Sequence, residues 1–430
     1  MIKKLLQKSK SYDNRRLLYN FMSLSLLQGT NYLLPLITFP YLVRVLGVDK
    51  FGLLAFAGAT IAYFHILTDY GFNLTATREV SIYRENHTKL EEIFGSVMFI
   101  KFILMLVSLI LLLILFYSFE MFGKNSEVYV LTFGMVIGQV LFPQWFFQGM
   151  EQMKYIAFLN ILTKLFFTIA VFFFITTEDD FWKVPLLNSL GQIGVGIIAI
   201  YIIKRQFGVR FHMQEFSILK RYLVQGWYVF LSNMAISLYT ISTTFILGLF
   251  TNNTVVGYYA IAEKIKGVVQ GFLGPASQAL YPYISRKIKK DPSAGLRFIK
   301  KAVLVIGSAS FLLSLLLFIS APKIIHLIAG AEYERSIVVL QIIAFLPFIV
   351  SLSNLFGIQT MLNFDRKKAF SRILIAGSVL NVLLSLFLVP KFEEVGSALS
   401  VVVVEMGITL TMFFYLQRSG INIIRGRVDG

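Results

Sequence analysis

Twelve stretches of predominantly apolar residues follow one another along the chain, with short polar connections between them. They lie at 17–40, 51–72, 94–117, 126–149, 155–175, 182–203, 222–249, 256–283, 299–320, 336–361, 369–390 and 395–416. A helix needs roughly 20 apolar residues to cross the hydrocarbon core, where its backbone polar groups must be satisfied within the segment. The pattern therefore predicts an all-α polytopic membrane protein of twelve transmembrane helices. A mean hydropathy of +0.72 and a hydrophobic content of 57% agree.

The pattern also repeats. Phe51-Gly52-Leu53-Leu54-Ala55-Phe56-Ala57 opens span two, and Val256-Gly257-Tyr258-Tyr259-Ala260-Ile261-Ala262 opens span eight with the same Gly-x-x-Ala-x-Ala spacing. Gln148-Gly149-Met150 near the end of span four is echoed by Gln359-Thr360-Met361 at the end of span ten, and both spans carry an internal proline, Pro143 and Pro347. Six spans per copy is an even number, so the two copies run parallel, as two six-helix lobes in pseudo-two-fold repeat around a central cavity. The expected organisation is a basic N-terminus at 1–16, an N-lobe at 17–203, a polar basic linker at 204–221, a C-lobe at 222–416 and a tail at 417–430.

Charge gives an orientation. The formal net charge is +17. Most of the 40 Lys and Arg residues fall in the segments that lie inside if the N-terminus is cytoplasmic. The opposite side holds only Arg44, Lys50, Lys124, Lys183, Lys323, Arg335 and Lys391. The positive-inside rule then places both termini in the cytoplasm. It also accounts for the high pI as topology and attraction to anionic membrane lipids, without nucleic acid. The basic start meets a full-length apolar span with no small-residue cleavage site, which reads as an uncleaved first helix.

Four lysines and three acids remain within spans: Lys101, Lys164, Lys264, Lys266, Asp69, Glu263 and Glu405. A central charge costs about 2.5–3.5 kcal/mol on insertion scales, so each needs a reason. Lys101 and Asp69 sit near the cytoplasmic ends, where snorkelling to the interface explains them without a function. Lys164, Lys266 and Glu405 are near mid-span. On span eight Glu263, Lys266, Gln270, Ser277 and Tyr281 share a helical face; span one offers Gln28, Asn31 and Thr38 beside Pro35, and span five Asn160, Lys164 and Thr168. Polar side chains commonly hold membrane helices together, but that use needs no net charge. A water-filled cationic cavity does, and a cationic cavity implies an anionic substrate such as a phosphate or carboxylate. Pro35 and Pro40 on span one are candidate bending points.

Several chemistries are absent from the sequence. There is no cysteine, hence no disulfide or thiolate metal site, and no G-x-x-x-x-G-K-[ST] or H-E-x-x-H occurs, so no cofactor and no metal are expected. His65 and Asp69 lie one turn apart, a spacing suited to a structural hydrogen bond or to proton transfer. The longest outer connection, 321–335, is too short to house the site of an enzyme acting on extracytoplasmic sugars.

Three segments carry a family likeness: Leu34-Pro35-Leu36-Ile37-Thr38-Phe39-Pro40-Tyr41-Leu42-Val43-Arg44-Val45-Leu46-Gly47 leading into Phe51-Gly52; Asp69-Tyr70-Gly71-Phe72-Asn73-Leu74-Thr75-Ala76-Thr77-Arg78-Glu79; and Pro143-Gln144-Trp145-Phe146-Phe147-Gln148-Gly149-Met150-Glu151. Together they resemble the O-antigen and capsular repeat-unit flippases of the Wzx type, in the multidrug, oligosaccharidyl-lipid and polysaccharide exporter superfamily. The resemblance implies a bacterial inner-membrane transporter of undecaprenyl-diphosphate-linked oligosaccharide, with a polysaccharide polymerase and a chain-length regulator as partners. It adds Arg44 and Arg78 as substrate-facing candidates beside Lys164, Lys264, Lys266, Glu263, Gln28, Asn31 and Gln270. Asp69, Glu405 and Lys101 are left as coupling or gating candidates, with Pro35 and Pro40. The rivals are a drug-extruding antiporter of the same superfamily, which would need an acidic cavity, and a non-transporting scaffold of a polysaccharide-assembly complex, which would need no polar cavity.

Overall fold

The structure, a computed structural model, describes the backbone of residues 2–271 and 273–428 and the side chains of 34–234, 237, 241–271, 273 and 280–427. It is helical almost throughout, and eight helical segments among the described residues are long and apolar enough to cross a membrane. The chain divides into two compact units, Met1–Leu46 with Thr60–Met234, and Gly47–Ala59 with Ala235–Gly430.

The first helix, α1 (Ile2–Asp69), covers spans one and two and leaves helical angles at one residue, Gly47, with φ 65°. Glycine tolerates this left-handed conformation because it has no Cβ. The helix passes through Pro35 and Pro40 without leaving helical angles, so neither proline breaks it here. Tyr70 and Gly71 then adopt φ 48° and 78° and turn the chain into α2 (Phe72–Ile82). Next come α3 (His87–Ser118), the short α4 (Glu120–Gly123) and α5 (Ser126–Leu141). Span four breaks at Phe142 and Pro143 and resumes as α6 (Gln144–Gly149). α7 (Met153–Phe174) and α8 (Lys183–Gln206) follow, and α9 (Phe216–Thr240) leads out of the first unit.

Two of the three family segments meet in this unit. α2 packs on α6: Thr77 Oγ1 donates to the Trp145 carbonyl at 3.2 Å, and a Cβ on Gly149 would lie 2.6 Å from Val80. Trp145, Phe146 and Phe147 are fully buried in one apolar core with Phe72, Val80, Phe94 and Tyr222. Their chemistry is packing, which sequence likeness alone does not reveal.

The second unit contains α10 (Ser242–Phe250), α11 (Asn253–Gly271), α12 (Gly274–Lys290), α13 (Pro292–Ile328), α14 (Arg335–Ile343), α15 (Leu346–Phe356) and α16 (Lys367–Arg418). Spans seven, eight and ten are each interrupted, at Ile241, at Leu273, and at 344–345. Spans eleven and twelve are both in α16, which turns at Glu393 with φ 49° and ψ −128°. A two-residue antiparallel pairing, Ile421 with Val428 and Asn422 with Arg427, closes the tail.

Residues 47–59 pack within this unit beside α11. Thr254 Oγ1 donates to Asp49 Oδ1 at 3.1 Å, Phe56 stacks on Phe245, and a Cβ on Gly52 would stand 1.7 Å from the Asn253 carbonyl oxygen. A Cβ on Gly257 would meet the Val48 oxygen at 2.3 Å. The two glycines of the repeated Gly-x-x-Ala-x-Ala motif thus allow their own backbones to touch.

Candidate functional site

In the second unit, α11 sets Glu263, Lys266 and Gln270 at steps of three and four, so one face carries all three. They line a cavity of about 180 Å³ together with Tyr259, Thr243 of α10, Leu346 and Val350 of α15, and Val401 and Glu405 of α16. Asn381 Nδ2 donates to Thr243 Oγ1 at 3.2 Å and ties α10 to α16 behind this wall. A second cavity of about 140 Å³ is lined by Gln270, Leu273, Ile306, Val350, Ser351, Asn354 and Leu355. Gln270 and Val350 belong to both.

The sequence placed Glu263, Lys266 and Gln270 on one face and Glu405 apart from them, and the fold brings Glu405 to that face. It did not single out Tyr259, Thr243, Ser351 or Asn354. Thr243 is adjacent to Thr244, which follows Asn233, Ser237 and Thr240 at helical steps along span seven, whereas Ser351 and Asn354 carry no signal beyond small polarity in an apolar span. The expected stripe on span eight stops with α11, because Tyr281 lies on α12, past the interruption, and Ser277 is outside the residues whose side chains are described. Lys264 is exposed and lines neither cavity. The cavity that Lys266 lines thus also carries Glu263 and Glu405, so its lining holds both basic and acidic side chains.

The first unit holds another polar cluster. Lys101 is only 1% exposed, so it does not snorkel. Its charge and that of Asp69 act on each other across the packed interior. His65 Nδ1 hydrogen-bonds Gln139 Oε1 of α5. Asp69 Oδ1 is buried with no hydrogen-bond partner among the described residues, and the bond recorded for His65 goes to Gln139 rather than to Asp69. Opposite charges that act on each other within the interior offset part of the cost of burying them.

The remaining candidates are spread more widely. Lys164 is half-buried on α7, and Arg44 and Arg78 are exposed on α1 and α2. Pro35 is exposed and Pro40 half-buried. Gln28 and Asn31 are outside the residues whose side chains are described. Among the described residues no group of His, Cys, Asp and Glu is arranged to hold a metal ion.

The family described as "Polysaccharide biosynthesis protein" matches residues 17–287. The chain is 35% identical over 400 residues to the "Putative O-antigen transporter" of Escherichia coli (strain K12), covering 93% of this chain and 96% of that protein. Among solved structures it is similar to the lipid II flippase MurJ in an inward closed conformation, with a TM-score of 0.67 at 14% identity over 94% of this chain and 87% of that one. It is also similar to an inward-facing multidrug resistance MATE family transporter of the MOP superfamily, with a TM-score of 0.64 at 14% identity over 90% and 94% of the two chains. At these identities the two structures speak for the fold.

Proposed function

The chain belongs to the polysaccharide biosynthesis protein family, and we propose that it is a flippase for lipid-linked oligosaccharide in polysaccharide assembly. The cargo on this reading is an undecaprenyl-diphosphate-linked repeat unit, carried from the cytoplasmic to the outer leaflet of the bacterial inner membrane. The protein would cross that membrane twelve times, in two halves of six, with both termini in the cytoplasm. A polymerase and a chain-length regulator would take the product onward.

The supporting observation is a polar, charge-lined cavity inside a unit built of apolar helices. Burying Glu263, Lys266 and Glu405 there is expensive, and a hydrophilic cargo supplies the reason. In this division of labour Arg44, Arg78, Lys164 and Lys264 attract the diphosphate. Glu263, Lys266 and Gln270, with Gln28 and Asn31, meet the sugars. Asp69, Lys101 and Glu405 adjust charge during the cycle, and Pro35 and Pro40 permit bending.

Complementation tests the reading. Expressed in a flippase-deficient strain with its cognate repeat unit, the chain should restore surface polysaccharide. Lys164→Ala with Lys266→Ala at normal expression should abolish it. No restoration by the wild-type chain sinks the flippase reading; restoration without the lysines sinks their role.

The two acidic side chains that share the cavity with Lys266, Glu263 and Glu405, favour one alternative, export of a cationic compound by antiport. In a drug-sensitive efflux-deficient strain that alternative requires the chain to raise resistance to cationic dyes, and Glu405→Gln to remove the gain.

A further inference from the structure

Where α12 meets α13, the second unit gathers positive charge with little acid to balance it. Residues 283–301 and 416–427 hold ten lysines and arginines and one acid, Asp291. That acid is occupied at the start of α13, where it accepts from the Ser293 amide at 2.9 Å and stands 3.5 Å from Arg297 Nη2. We infer that the folded tail and the start of α13 together form a binding site for the phosphate headgroup of an anionic phospholipid. Such a site is independent of the cargo.

The tail builds it. Ile421 and Ile423 are buried in an apolar core with Ile284, Ile288, Leu296 and Ile299, which fixes the tail on α12 and α13. The pairing of Ile421 with Val428 and Asn422 with Arg427 then folds it back, and its second strand lies against α13. Asn422 holds the turn: its Oδ1 accepts from the Arg425 amide at 2.9 Å and its carbonyl from the Gly426 amide at 2.8 Å. Gly426 has φ 67°, in the left-handed region that glycine enters without strain, and a Cβ there would stand 3.1 Å from Arg297 Cγ. Arg425 and Arg427 therefore flank the residue packed against Arg297. Lys300 and Lys301, three and four positions beyond Arg297, continue its helical face, and all five of these side chains are exposed. Lys287 joins them from α12, with its ammonium 5.0 Å from the centre of the Phe298 ring and 5.5 Å from that of Tyr283.

Apolar groups among the charges point to a lipid rather than a soluble anion. Ile424, in the loop of the turn, is 61% exposed, and Tyr283 is 45% exposed. The apolar run of α13 begins directly after Lys301, so the cations lie where a span leaves the hydrocarbon and meets the phosphates. Lysine and arginine make charge-assisted hydrogen bonds to phosphate oxygens, and a guanidinium makes two in parallel. Any basic loop feels an anionic surface from a distance. Here a turn held by its own packing sets two arginines of the tail beside the cations of a helix end, an arrangement that diffuse attraction does not require.

Titration of the purified full-length chain in detergent with short-chain phosphatidylglycerol, short-chain phosphatidylcholine and inorganic phosphate tests this. Phosphatidylglycerol should bind about 10-fold more tightly than either of the others. Arg425→Gln with Arg427→Gln should weaken it by about 10-fold and leave phosphatidylcholine unchanged. Lys300→Gln with Lys301→Gln should act in the same direction without touching the turn, which guards against a tail that merely unfolds. Lys204→Gln with Arg205→Gln, on exposed residues at the end of α8 in the first unit, should have no effect. Unaltered phosphatidylglycerol affinity in the tail and α13 variants overturns the site. So does an equal loss in the α8 variant, which would mean diffuse charge, or inorganic phosphate binding as tightly as the lipid.

Discussion

At the residue scale, contacts decide what a side chain is for. Lys101 shows this: its distance from the end of the span allows snorkelling, yet α3 turns it inward toward Asp69. Removing one of two opposite buried charges that act on each other leaves the other less compensated. Lys101→Met should therefore lower the thermal unfolding midpoint in detergent by several degrees, and Lys101→Met with Asp69→Asn should recover most of it. An unchanged midpoint in the single variant would mean that the pair contributes nothing. Gly52 and Gly58 make a second comparison on one short segment. A Cβ at Gly52 would enter the Asn253 carbonyl, whereas one at Gly58 meets nothing within 4 Å. Overpacking of this kind typically costs about 1–3 kcal/mol. Gly52→Ala should reduce the yield of monodisperse protein, and Gly58→Ala should not, as size-exclusion profiles would show.

At the element scale, helix ends are tied by networks that hydrophobic patterning does not announce. Arg335 opens α14 and donates from Nη2 to Glu393 at 2.7 Å and from Nε to Glu394 at 2.8 Å. It also lies over the Tyr258 ring of α11, 5.3 Å from its centre. Glu393 has the unusual φ of 49° at the turn of α16, a conformation that persists only when its surroundings hold it. Glu394 is 2% exposed, so Arg335→Ala strands a buried carboxylate, with an expected loss of about 1–3 kcal/mol. Differential scanning fluorimetry should show a lower midpoint, partly restored by adding Glu394→Gln; no restoration would place the defect in packing rather than charge. Breaks within spans were partly legible. Pro143 marks the break in span four, and Pro347 follows the one in span ten, because proline removes a backbone donor. The interruption at Ile241 carries no such signal. Pro35 and Pro40 carry the signal without a break.

At the scale of the whole molecule, residues 47–59 connect two segments of the first unit yet pack in the second. A fragment of 216–430 therefore lacks part of its own core. Expressed alone it should be degraded or aggregated, and co-expression with 1–215 should restore it, as immunoblots of membranes would show. A stable fragment on its own would contradict the packing. Energetics on the flippase reading belong at this scale too. Returning an empty, positively charged carrier toward a negative interior contributes about 2.3 kcal/mol per charge per 100 mV. Collapsing the membrane potential in vesicles should slow turnover of the lipid-linked cargo; indifference to it would point to ion coupling or passive flow.

Features that depend on solvent and on local geometry can be read from the chain alone. The apolar stretches must be helical, because a bilayer offers nothing else to satisfy their backbone. The i, i+3, i+7 placement of Glu263, Lys266 and Gln270 fixed their common face, because helical geometry is local. Likeness over nearly the whole chain determined the family. It took the packed fold to show that Glu405 joins that face from more than 130 residues away, that Ser351 and Asn354 extend it into a second cavity, and that Lys101 is buried rather than snorkelled. The reason is physical. Charge balance and cavity shape are properties of side chains brought together by packing, and one helix carries no record of what its neighbours present.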